Sequence, residues 1–130
     1  MGAWGVGHFE NDDAADWVWE LEDKRSLQPA VDAISAVPSS GYLEAPDASM
    51  ALAAAEVIAA VAGKPAQNLP DSVSNVVSGL GKFVPEELKR RTRAAVERIL
   101  AESELRELWE ESEHFDQWRS NVQDLLSRLG

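Results

Sequence analysis

The sequence predicts an all-α fold, a compact single-domain bundle of about six or seven helices preceded by an ordered Gly/Trp-rich arm. Three observations carry that expectation. Apolar residues recur at i, i+3, i+4 and i+7 in one window after another. No window alternates with period two over five residues, so no strand is predicted. A capping or breaking residue stands between most successive windows. With 130 residues, 45% of them apolar and 27% charged, the chain has the length for one domain and too much apolar content for simple disorder. The domain is read as residues 1–130, with residues 1–10 forming the arm.

Each helix has a local reason. Asn11 can cap the first, with Asp12 and Asp13 in the turn where carboxylates suit the macrodipole. Ala14, Trp17, Val18 and Leu21 then make its stripe. Leu27, Ala30, Val31 and Ile34 repeat the pattern, and Pro29 is tolerable in a first turn. Pro38-Ser39-Ser40-Gly41 is a turn cluster. A third helix from about Pro46 to Ala62 is apolar almost all round, which places it at the centre; Gly63 and Pro65 stop it. Val73, Val76, Val77 and Leu80 form a shorter helix after Pro70-Asp71, closed by Gly79 and Gly81. Pro85-Glu86-Glu87 opens the next, striped by Leu88, Thr92, Ala95, Val96 and Ile99. Ser103 can cap a short helix with Leu105, Leu108 and Trp109. Phe115, Trp118, Val122, Leu125 and Leu129 mark the last.

Composition narrows the function. Lys+Arg 12 against Asp+Glu 23 gives a net charge of −11, which argues against nucleic acid or an anionic membrane as partner. Residues 1–65 carry −8 of that charge, and no Lys or Arg precedes Lys24. The absence of Cys excludes disulfides and thiolate metal sites. The opening residues resemble no signal peptide, Val6 spoils the myristoylation pattern, and the stretch from Met50 to Ala62 is too short to span a bilayer. The expected location is cytoplasmic.

The run from Met1 to Trp17, MGAWGVGHFENDDAADW, resembles the opening of a bacterial family known as domain of unknown function 4259, whose members typically begin MGAWGxGxFxNDxAxDW. Ala53-Ala54-Ala55-Glu56-Val57 and the stretch from Ser103 to Glu111 are similar to that family as well. The resemblance implies a small bacterial intracellular protein, with no catalytic residues to carry over. Trp4, Phe9, Asn11, Trp17, Glu56 and Trp109 are its structural signature here.

Several constellations invite chemistry. Gly5-Val6-Gly7 ahead of a helix resembles part of a phosphate loop, but Asp12 and Asp13 would repel the phosphate and no Walker Lys follows. The glycines serve better to let the arm pass close to the helices, with Trp4 and Phe9 docking as anchors. His8, Glu10, Asp12, Asp13 and Asp16 are the densest set of metal-ligand types, suited to hard divalent cations. Their spacing fits no EF-hand, and Asp13 points about 100° away from the face shared by Asp12 and Asp16. No metal or cofactor is assigned. His114 reads as a surface residue, and a His-based catalytic site is poorly supported by two histidines alone.

Glu56 has apolar neighbours at i±3 and i±4: Leu52, Ala53, Ala59 and Ala60. Two readings stand. Either it is buried and paired, with the basic run Lys89-Arg90-Arg91-Thr92-Arg93 as partner, or Ser49, Glu56 and Gly63 mark a narrow solvent strip. The basic run itself is expected to face acidic helices of the same molecule.

On a helical wheel with Trp17 at 0°, the core direction lies near 50° and Trp19 falls at about 200°, beside Asp12, Asp23 and Asp16 at about 220° to 260°. Trp19 is then either covered by another element or exposed as an interface anchor. The function expected is a non-enzymatic interaction module that binds a basic protein through Asp12, Asp16, Trp19 and Asp23, in the manner of an immunity protein. The alternative is a small metal-dependent enzyme built on the N-terminal carboxylates. A homodimer through a patch near Trp109 and Trp118 is a third.

Overall fold

The computed structural model describes residues 3–130; Met1 and Gly2, which begin the sequence motif, lie outside them. Seven helices run in order among the described residues, with no strand: α1 Asp12–Lys24, α2 Gln28–Ser35, α3 Ala45–Val61, α4 Asp71–Ser78, α5 Glu86–Ala101, α6 Glu104–Glu110 and α7 Phe115–Leu129.

The ends of these helices follow from local chemistry. Asn11 accepts a hydrogen bond on its side-chain oxygen from the Ala14 amide at 2.8 Å and caps α1. Ser103 caps α6 by accepting from the Arg106 amide, while its hydroxyl donates back to the Ile99 carbonyl. α3 terminates ahead of Gly63, whose φ of +96° is open to glycine at little cost. α1 ends without one. Arg25 takes the left-handed conformation, φ 47°, and its amide bonds the Leu21 carbonyl.

α3 packs against all six other helices. Every residue from Ala51 to Val61 is buried, as the all-round apolar pattern requires. The many alanines keep the helix thin, so its neighbours approach closely. Trp17, Leu21, Leu52, Ile58, Ile99, Trp118 and Leu125 fill the spaces around it. Truncating a side chain as deeply placed as Trp118 costs about 3–5 kcal/mol. The Trp17 indole N–H also finds a partner, the Pro29 carbonyl at 3.3 Å, and so joins α1 to α2.

Two expectations change here. The basic run does not face acidic helices. Lys89, Arg90 and Arg93 lie beside Glu86, Glu87 and Glu97 of their own α5, while Arg91 donates to Ser35 and Arg93 to the Leu126 carbonyl. Glutamates three or four residues away on the same helix are within reach of these cations, and the contacts to α2 and α7 are to a hydroxyl and a carbonyl, not to carboxylates. Nor do the Trp109 and Trp118 rings lie at the surface; both are buried. No helix among the described residues is long and apolar enough to cross a membrane.

Candidate functional site

Residues 3–11 form a closed loop whose anchor differs from the expected one. Ala3 and Asn11 form an antiparallel bridge, and the Trp4 amide donates to the Glu10 carbonyl, so residues 3–11 double back as a loop. The Gly7 amide donates to Glu10 Oε1 at 3.0 Å. A Cβ on either Gly5 or Gly7 would come within 2.4 Å of that carboxylate, which explains both glycines by close approach. The Trp4 ring is 62% exposed. Its backbone is spent on the loop closure and its side chain is left outside, so it is no core anchor. Phe9 packs at the edge of the core. The residue that goes in is His8, 6% exposed.

His8 enters beside α3 and α7. Asn121 of α7 donates to the Val6 carbonyl at 3.1 Å and ties down the loop. The His8 Nε2 lies 3.9 Å from Glu56 Oε2 and has no hydrogen-bond partner among the described residues. Burial lowers the pKa of His8 below its usual 6.5, against the attraction of Glu56 and the Asn121 backbone. The ring is therefore neutral near pH 7.

Glu56 is 4% exposed and paired, which removes the solvent-strip reading; Ser49 is buried too. Its partner is Arg128 of α7, not the 89–93 run. Arg128 grips it with both terminal nitrogens, at 2.8 and 3.0 Å. The same guanidinium donates to Asp124 at 3.0 Å and to the Lys64 carbonyl at 3.3 Å. Hydrogen bonding to Glu56 chiefly holds the Arg128 pKa above its usual value. The two helices lie 72 residues apart in sequence at this pair.

These groups floor a polar groove of about 690 Å³, walled by the segment 65–68, Ser120 and Asn121. It continues past Phe9 and Glu10 toward Pro70. His8 also lines an apolar cavity of about 190 Å³ with Ser49, Leu52, Trp109 and Trp118. Of the groups first considered for metal, His8 and Glu10 reach the groove, whereas Asp12, Asp13 and Asp16 do not line it. His8 is turned inward and Glu10 is held by Gly7. Among the described residues no group of three or more His, Asp or Glu could hold a metal ion.

A second feature lies on α1. Trp19 is 78% exposed, so neither the arm nor α5 covers it. Asp12, Asp16, Glu20 and Asp23 are exposed with it, and none of them has an ion-pair partner among the described residues. The other signature residues, Asn11, Trp17 and Trp109, serve the fold as cap and core.

Six helices wrapped on a buried alanine-rich one, with a glycine loop inserting a histidine, define a small all-α protein. The chain belongs to the family described as Domain of unknown function (DUF4259), which matches residues 2–121. Comparison with curated proteins and with solved structures finds no match.

The sequence singles out Glu56, and His8 only as a possible metal ligand, but offers neither Asp124 nor Arg128. One signal was available: a lone carboxylate in the middle of a buried helix needs a cation. Which of twelve cations supplies it depends on how α3 and α7 pack, and no local pattern encodes that.

Proposed function

We propose that the chain, acting as one domain, is a non-enzymatic interaction module that binds a basic protein through the outer face of α1. The observation that carries the reading is Trp19, 78% exposed on a face whose carboxylates have no ion-pair partner among the described residues. A large aromatic is expensive to leave in water, and at interfaces Trp is the commonest kind of anchor. Asp12, Asp16, Glu20 and Asp23 surround it with negative charge at one-turn intervals, complementary to Lys or Arg on a partner. An Arg guanidinium stacked on the indole would use both features at once. Among the described residues no three ligands converge to support the metal-enzyme alternative.

The test compares the wild type with Trp19→Ala in capture from an extract of the native host at low salt. The partner recovered is then purified and its affinity for both proteins measured by calorimetry. The reading expects a basic partner whose affinity falls at least tenfold on Trp19→Ala and declines with salt. An acidic partner, or an affinity indifferent to Trp19 and to salt, overturns it.

A further inference from the structure

We infer that the polar groove between the arm, the segment 62–70 and α7 is a binding site for a primary ammonium group, carried by a small aliphatic amine or by a lysine side chain. The inference does not depend on the α1 face, since none of the residues lining the groove belongs to α1.

Three observations converge. The first is the unpartnered His8 Nε2, in a side chain more than nine-tenths buried. Near pH 7 the ring is neutral. The second is its neighbour. Glu56 Oε2 stands 3.9 Å away, too far for a hydrogen bond. A nitrogen placed about 2.8 Å from both atoms would sit off the line between them and subtend about 90°, close to what two N–H bonds of an ammonium supply. The third is charge. Glu10, Glu56 and Asp124 line the groove against the single cation Arg128. Arg128 is already committed to Glu56, Asp124 and the Lys64 carbonyl, so the surplus is negative and the groove repels anions.

A buried ion pair is not by itself a device for stability. Here it fixes the Glu56 carboxylate so that one oxygen faces the imidazole. The polar rim of Gln67, Asn68, Ser120 and Asn121 suits the remainder of a hydrogen-bonding ligand. Nε2 is closed to bulk water, and the wall that can yield to an incoming amine is the non-helical segment 62–70.

The test is titration of the full chain at pH 7.5 and constant ionic strength, followed by the imidazole signals in NMR. The chain has two histidines, and exposed His114 is the internal control. One arm uses putrescine, the second an end-blocked Gly-Lys-Gly peptide and the third tetramethylammonium, which has the charge without an N–H. Each is taken to about 20 mM, well above a millimolar dissociation constant. A saturable shift of His8, with His114 unmoved and tetramethylammonium silent, is the expected result. A response to putrescine alone assigns a small amine, and a response to the peptide alone assigns a lysine side chain. Asp124→Asn, a change at the exposed rim, should weaken binding about fivefold while leaving the circular dichroism unchanged. Absence of a saturable shift in both amine arms overturns the inference. So does an equal response to tetramethylammonium, or unaltered affinity in Asp124→Asn.

Discussion

Replacing Arg128 by Ala is the sharpest probe of how α7 is held to α3. The substitution removes donors at 2.8 and 3.0 Å from the Glu56 carboxylate and leaves that group, with 6% of its side chain exposed, facing only an acceptor at 3.9 Å. Breaking a buried pair from one side costs about 3–5 kcal/mol, because the remaining charge stays desolvated. The Arg128 side chain is itself 15% exposed and borders the groove. Its loss lets water approach Glu56, which places the expected cost near the lower bound, about 3 kcal/mol. With a urea m-value of about 2 kcal/mol/M for a domain of this length, the midpoint should fall by about 1.5 M.

Glu56→Gln should cost less, about 1–2 kcal/mol, because Arg128 keeps Asp124 and a route to water. The double replacement Glu56→Leu with Arg128→Met strands no charge and should lie within about 1 kcal/mol of the wild type. Urea unfolding followed by circular dichroism measures all three. A midpoint shift under about 0.5 M for Arg128→Ala would refute the argument, since a truly desolvated carboxylate cannot be stranded so cheaply. If the double variant is as unstable as Arg128→Ala, the loss is one of packing and the stranded charge is not its cause.

Three further outcomes are expected. Trp4→Ala should change stability by no more than about 0.5 kcal/mol, as surface substitutions usually do, whereas a buried Trp would cost about 3–5 kcal/mol in the same unfolding assay. Gly7→Ala should cost about 1 kcal/mol by driving the Glu10 carboxylate off the Gly7 amide, and that cost should largely vanish in a Glu10→Ala background, measured as a double-mutant cycle. Because the folded-state pKa of His8 lies below its unfolded 6.5, the unfolded chain binds more protons between the two values; stability present above pH 6.5 is lost as pH falls below it, and His8→Asn should flatten unfolding midpoints measured between pH 7.5 and 5.5.

What the sequence made legible and what it hid divide along one physical line. Helix positions and the central place of α3 follow from periodicity and capping, which act within a turn or two; Asn11, Pro85 and Ser103 mark their helices as read. The burial of Trp17 and the outward direction of Trp19 were equally local, since the stripe of α1 fixes where its core face points. Whether another element covers Trp19 was not local, and the structure leaves it open to solvent. Trp4 and His8 show the same division more sharply. Hydrophobicity nominates Trp4 for the interior, yet the arm inserts His8, because the loop closed by Ala3, Asn11 and Glu10 determines which side chain faces α3 and which faces water. A loop shaped by two glycines around a carboxylate is a matter of backbone geometry, and no transfer scale ranks its residues. Glu56 and Arg128 complete the case: the need for a cation was written into α3, but its identity was settled by the register of two helices that meet only in the folded chain. The interior polar groups of this protein are thus the part that tertiary packing selects, and they lie at the groove where the ammonium site is inferred.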